Sequence, residues 1–342
     1  MKNKMIVAVD AGKGYTKYAY EKVITGVNKE GKAVSKPKWF TDIDLSSVVI
    51  GEEAEVGSTT YITTNGVEKK YNFFGTTKMV ENKDISKDNE EHKVLMQRAL
   101  FKISLKENVT DFDLIMCMSL DQYKEKEKVE KMQKTMSVGT FTIKETINEV
   151  EEERTITVHS VVIEPETLVS TRFANVKFKD VNAILVDIGT LNVGIAPIEE
   201  GRVDMANITA PRKGYNYMIH KLKEYCDSKK SVDYPTKMLD IYVRKQQGTN
   251  KEMDELLLNF WKDVYSVELK KEIDSKGYGT FTTLVFLGGT SVDCAKHIKE
   301  SFAEYQNVEV ISDIYATVKG AYKRGVKDLE KLLKEKQLTK QR

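Results

Sequence analysis

Three segments of the chain pair a short apolar strand with a turn whose residues can handle phosphate. The first is Asp10-Ala11-Gly12-Lys13-Gly14-Tyr15-Thr16-Lys17, which follows the apolar run Met5 to Val9. Glycines in a tight turn let backbone N–H groups come close to phosphate oxygens. The stretch Gly12, Lys13, Gly14, Tyr15 and Thr16 is therefore a candidate phosphate cradle, with Lys17 adding a point charge for a β-phosphate. Asp10 cannot touch phosphate itself, because like charges repel, so it needs a hydrated magnesium ion between them. The second segment, Asp187-Ile188-Gly189-Thr190-Leu191-Asn192, repeats this logic. Gly189, Thr190, Leu191 and Asn192 face a terminal phosphate, and Asp187 positions metal-bound water. The third, Phe286-Leu287-Gly288-Gly289-Thr290-Ser291, ends a strand in paired glycines, where Gly288, Gly289 and Thr290 leave room for a flat base or a ribose. Each turn taken singly also suits an ordinary glycine turn. The repetition of Asp-x-Gly in two matching strand contexts is what raises the reading above that.

Around these turns the pattern alternates strands and helices. Met5 to Tyr20 reads as a β-hairpin, with further short β segments to about residue 75 and turns at 28–31, Gly51 and Asn65-Gly66. The polar stretch 82–89 reads as a loop, and Glu90 to Leu105 has helical spacing. Phe112 to Met118 reads as a buried strand and Thr155 to Ile163 as an alternating one, with Pro165 placed to open a helix. Later helices are expected from Gly214 and Pro235, a long one capped by Thr249 with apolar positions Met253, Leu256, Leu257, Phe260, Val264 and Val267, one capped by Ser291, and a terminal one over 314–333. Each half of the chain thus opens with an apolar strand, an Asp, a Gly two residues on and a hairpin return. Such repetition predicts two similar α/β domains facing one another.

The 342 residues suit two domains of ordinary size. Lys plus Arg number 54 and Asp plus Glu 52, a net charge of +2, which gives no electrostatic footprint for direct DNA binding. No apolar run approaches the roughly 20 residues of a membrane span, and the N-terminus lacks a signal core, so a cytoplasmic protein with no membrane partner is expected. Cys117, Cys226 and Cys294 lie far apart and read as packing residues rather than disulfides or zinc ligands.

The three segments, in this order and spacing, resemble the first phosphate loop, second phosphate loop and adenosine loop of the actin, sugar-kinase and heat-shock ATPase superfamily. The segment Asp313 to Gly320 is similar to its second connecting helix, where Ala316 and Gly320 permit close helix crossing. Within the superfamily the chain looks most like ParM-type bacterial actins and the related Alp proteins, which segregate plasmids. The stretch Asp113 to Tyr123 resembles theirs, although Cys117-Met118-Ser119 stands where they usually carry Gly-Leu-Pro. The resemblance implies a duplicated, ribonuclease H-like actin fold, with domain I over 1–180 plus 312–342, domain II over 181–311, and the nucleotide in a cleft. It implies ATP (or GTP) with Mg2+ bound at Asp10 and Asp187, and ATP hydrolysis. It also implies a Glu after Pro that orients the attacking water: Glu166, with Glu164 as the rival. Lys213 and Gly214 fall where the family binds ribose and base, and Lys237 or Arg244 could flank the base. The implied function is a polymerising ATPase whose homopolymer filaments move plasmid DNA through a DNA-binding adaptor. A non-polymerising small-molecule kinase of the same fold, or a structural bacterial filament, are the alternatives.

Overall fold

The computed structural model describes residues 4–27, 32–45, 48–50, 58–73, 86–229, 233–275 and 277–340. The expected turns at 28–31 and Gly51, and residues 82–85 of the expected loop, lie outside the described residues. The chain divides into two compact units, Met1–Ser170 with Thr317–Arg342, and Thr171–Ala316.

The first unit is built on strands β1 (Lys4–Ala11), β2 (Tyr15–Val27), β3 (Ala33–Leu45), β4 (Val48–Ile50), β5 (Ser58–Thr64), β6 (Val67–Phe73), β7 (Asp111–Met118), β8 (Thr140–Ile147) and β9 (Val150–Pro165). They form one mixed sheet in the order β3-β2-β1-β7-β9-β8-β5-β6-β4. Helix α1 (Glu90–Glu107) packs on β1, β2 and β9, and the short α2 (Leu120–Tyr123) and α3 (Lys126–Met136) follow β7. The second unit carries β10 (Ala183–Ile188), β11 (Val193–Glu199), β12 (Arg202–Val203), β13 (Thr283–Leu287) and β14 (Asn307–Val310), in the order β12-β11-β10-β13-β14. Its helices are α4 (Tyr215–Lys229), α5 (Thr236–Ile241), α6 (Lys251–Phe260), α7 (Ser266–Asp274), α8 (Gly289–Asp293) and α9 (Ala295–Ser301), and α10 (Ala316–Lys340) returns to the first unit.

The duplication read from the turns is present in the topology. In both units a three-stranded antiparallel meander, β3-β2-β1 or β12-β11-β10, is extended by two parallel strands, β7 and β9 or β13 and β14. Parallel strands are covered on both faces, which explains why β7 is buried at every position and apolar from Leu114 to Met118. Phe112, Leu114, Met116 and Met118 join the core cluster that contains the buried face of α1. Ile115 points the other way and meets α10, where a Cβ on Gly325 would stand 2.7 Å from the Ile115 side chain. A Cβ on Gly320 would collide with the Val169 carbonyl, so this small residue does allow the close crossing expected there.

Three local expectations are corrected. Pro165 opens no α-helix: β9 runs through it, and the Glu166 N–H still donates to Met118 O at 2.8 Å, extending the ladder by one rung. Asn250 rather than Thr249 caps α6, accepting from Glu252 and Met253 N–H. A π turn, Trp261–Tyr265, joins α6 to α7. The extra residue rotates the buried face, so Trp261, Tyr265, Leu269 and Ile273 face inward while Val267, expected in the core, is 37% exposed.

Candidate functional site

The two Asp-x-Gly turns close in the same way. The Gly12 N–H donates to Tyr15 O at 3.1 Å, and the Gly189 N–H to Asn192 O at 3.0 Å. Each glycine is followed three residues later by the acceptor, and each Asp is the last residue but one of its strand. A Cβ on Gly12 would stand 2.8 Å from Tyr15 O, and one on Gly189 3.2 Å from Asn192 O. The absence of a side chain is what permits turns this tight. The duplication is incomplete at one position: Lys17 lies opposite Asp10 in its ladder, whereas Gly194 lies opposite Asp187.

In the first unit a carboxylate pair gathers around one ammonium. Lys87, just before α1, donates from Nζ to Asp10 Oδ1 at 2.7 Å and also to Glu166 Oε1. Burial raises the pKa of Asp10, but the charges of Lys87 and then Lys17 outweigh it and hold the carboxyl below its usual range. Burial opposes the charge on Lys87, and the two carboxylates more than restore it, so the ammonium is firmly protonated. The thiol of Cys117, buried nearby, is pushed up by burial and then by these carboxylates, and stays neutral. The rival carboxylate, Glu164, is tied elsewhere: Arg324 of α10 reaches its Oε2 at 2.9 Å. Lys87 lies in the stretch read as a loop, and sequence reasoning missed it. Its only sequence signal is its place two residues before the helix cap Asn89.

The other lysine of the first turn, Lys13, is buried and paired with Glu91 in the first turn of α1 at 2.9 Å. Thr16 is buried as well, while Gly14, Tyr15 and Lys17 remain partly open.

In the second unit the N-terminus of α4 is sewn onto the turn. Gly214 N–H donates to Leu191 O at 3.0 Å, Tyr215 N–H to Gly189 O at 2.9 Å and Asn216 N–H to Thr190 O at 3.0 Å. The donors of this helix start therefore hold the second Asp-x-Gly turn in shape. Lys213 reaches Glu268 at 2.5 Å and Glu272 at 2.9 Å on α7, and its carbonyl accepts from Tyr265 Oη at 2.6 Å. Arg244 pairs with Asp240 at 2.8 Å and lies over the Tyr215 ring, 3.9 Å from its centroid. Gly288 has φ of +91°, and a Cβ there would stand 2.7 Å from Asp187 Oδ1, so this position requires glycine. Gly289 differs: nothing lies within 4 Å of a Cβ built on it. Helix α8 begins at Gly289, and Ser291 donates to Leu287 O at 2.6 Å inside it rather than capping it.

Both halves of the chain thus carry one sheet order and one turn closure. Residues 8–168 match the family model of the actin-like proteins' N-terminal domain. That match covers just under half of the chain and makes its first unit similar to the actin-like proteins. No curated protein matches the chain in sequence. Among solved structures, the actin-like protein Alp7A superposes with a TM-score of 0.69 at 13% identity, over 98% of this chain and 100% of that one. A ParM from a 15-stranded filament of Clostridium botulinum gives 0.63 at 16% identity, over 95% and 99%. The archaeal actin homologue Ta0583, solved in complex with ADP, gives 0.60 at 14% identity, over 94% and 99%. At these identities the structures establish a shared actin-like fold.

Two features of the chain bear on whether a nucleotide and its cation would fit. The Lys87 ammonium already occupies a cation's place between Asp10 and Glu166. The side-chain oxygen of Asn192, in the second turn, is buried without a hydrogen-bond partner. Turned over, that amide offers its NH2 to a phosphate oxygen. Among the described residues no group of three or more His, Cys, Asp or Glu is placed to hold a metal ion. The cation chemistry to be tested is therefore that of one or two carboxylates plus water and phosphate oxygens, the usual environment of Mg2+. No described helix is long and apolar enough to cross a membrane.

Proposed function

We propose that this actin-like protein is an ATPase whose nucleotide cycle drives assembly into homopolymeric filaments that move plasmid DNA in the cytoplasm through a DNA-binding adaptor. The observation that carries the reading is the pair of identically closed Asp-x-Gly turns, one of them beside a carboxylate pair organised around a cation. Backbone N–H groups of 13–16 and 190–192 cradle phosphate oxygens, with Lys17 adding charge beside Asp10. Mg2+ bound with the nucleotide would neutralise phosphate charge and organise water. Asp10 and Asp187 each present a carboxylate that would hold such a hydrated cation, and Glu166 is the carboxylate that would orient the attacking water. Phosphoryl transfer asks chiefly for positioning and charge neutralisation, so one well-placed carboxylate suffices for the water. Gly289, open above its Cα, leaves room for base or ribose. The likeness in fold to a filament-forming ParM and to an ADP-bound actin homologue supports nucleotide binding and self-association.

Phosphate release, light scattering and sedimentation at micromolar protein test this, with ATP, a non-hydrolysable analogue, ADP and no nucleotide. Pelletable filaments are expected with ATP and the analogue, and disassembly as ATP turns over. Hydrolysis by a protein that stays monomeric in all four conditions would transfer the reading to a small-molecule kinase of the same fold.

A further inference from the structure

We propose that Lys87 is a resident counter-ion, holding the Asp10–Glu166 pair in the nucleotide-free protein and excluding a divalent cation until phosphate arrives. The inference rests on the nucleotide reading of this site and adds a residue outside all three glycine turns.

Lys87 is firmly placed. Its own turn is pinned: Asn89 Nδ2 donates to Ser86 O at 2.9 Å, Asn89 Oδ1 accepts the His92 N–H at 3.1 Å, and Asp88 is paired with Lys131 at 2.7 Å. The backbone at Lys87 is thus fixed by the start of α1. Only the four-carbon stem is free to swing, and its ammonium is the group lodged between the carboxylates. The Lys87 side chain is only 10% exposed, and those of Asp10 and Glu166 are 15% and 18% exposed. Lys13 cannot take over the role, being held by Glu91.

Charge then sets which ion the pair can hold. Asp10 and Glu166 carry two negative charges; Lys87 between them and Lys17 across the ladder carry two positive ones, so the cluster is neutral. A divalent cation entering it would meet an ammonium within a few ångströms in a partly desolvated place, where like charges repel strongly. Two carboxylates converging on one point without that ammonium are, by contrast, an oxygen-ligand site for a hard divalent cation. Phosphate oxygens supply the negative charge that draws the ammonium away, so cation and nucleotide enter together. Lys87 is a positioning residue in this scheme: it acts through Asp10 and Glu166.

The test uses Mn2+ as probe on the full-length, nucleotide-free protein, reading free Mn2+ by electron paramagnetic resonance. Wild type and Lys87→Arg, which keeps the charge, are expected to bind weakly. Lys87→Met, which keeps the stem and removes the charge, is expected to bind Mn2+ about tenfold tighter or more, and adding Asp10→Asn to it should abolish the gain. A merely structural lysine would not produce this gain. Lys87→Gln serves as second variant if Lys87→Met lacks a cooperative melt. Mn2+ affinity in the folded neutral variant no tighter than wild type, or a gain that survives Asp10→Asn, overturns the proposal. Mg–ATP binding to wild type, measured in parallel, judges the nucleotide reading separately: its absence sinks that reading whatever Mn2+ does.

Discussion

Gly214→Ala sets two effects of opposite sign against each other. Replacing Gly by Ala restricts the unfolded chain and stabilises by about 0.4–1 kcal/mol where the native backbone accepts a side chain. At Gly214 the added Cβ would stand 2.6 Å from Gly189 O, 2.6 Å from the Leu191 carbonyl carbon and 2.7 Å from Asn192 N. All three are backbone atoms of the second Asp-x-Gly turn, so no side chain can rotate out of the way. Overpacking of this kind costs about 1–3 kcal/mol. Stretching the three helix-to-turn hydrogen bonds at 2.9–3.0 Å adds about 0.5–1.5 kcal/mol for each one weakened. Sterics therefore win, with a net loss of about 2 kcal/mol in the second unit. That is a fall of roughly 4–8 °C in Tm for a domain of this size. Differential scanning calorimetry measures it, and fluorescent-nucleotide titration should show weakened binding as Gly189 to Asn192 shift. The paired control is Gly289→Ala, where the Cβ meets open space. Its Tm should change little, while nucleotide affinity falls if base or ribose lies against that glycine. An unchanged or raised Tm for Gly214→Ala would refute the claim that backbone contact with α4 sets the turn.

Glu166→Ala should slow single-turnover hydrolysis by roughly 10²- to 10⁴-fold while nucleotide still binds, and its filaments should persist. Collapse of the rate in Glu164→Ala with a normal rate in Glu166→Ala would show that the wrong carboxylate has been assigned. Asp10→Ala and Asp187→Ala should each alter the Mg2+ dependence of hydrolysis as well as its rate, and unchanged magnesium titrations in both would remove the metal assignment. The buried His92 is pushed down to about 2, first by burial and then by the charges of Lys13 and Lys87. Between that value and 6.5 the unfolded chain binds a proton that the folded one does not. The stability His92 confers is therefore complete above pH 6.5 and falls with pH, by about 2 kcal/mol at pH 5. His297 is pushed in the same direction by burial. His92→Gln should thus reduce, without abolishing, the loss of Tm between pH 7 and 5, and an identical pH profile would show that His92 titrates normally.

The sequence by itself determined the parts whose physics is local. An apolar strand ending in Asp, with glycine two residues on, can make only a few tight turns, and the two copies at Asp10 and Asp187 disclosed the duplicated α/β plan. Glycines 12 and 189 were legible because they complete the repeated Asp-x-Gly turn, and Gly288 because it opens a glycine pair at a strand end. Contacts between distant segments decided the rest. Lys87 meets Glu166 across 79 positions of sequence, and a lysine in a polar stretch looks the same whether it faces water or a carboxylate pair. Glu164 and Glu166 flank one proline and could not be ranked by spacing; Arg324 of α10 claims the former, and the end of β9 delivers the latter to Asp10. Gly214 read as a ligand contact, and only the structure shows that it also lets α4 press against the second turn. The π turn at Trp261 shifted a helical face that periodicity had assigned correctly only as far as Phe260. A short-range pattern fixes which face a residue takes relative to its neighbours in the chain. The partner that fills that face comes from elsewhere in the chain, and only packing brings it there.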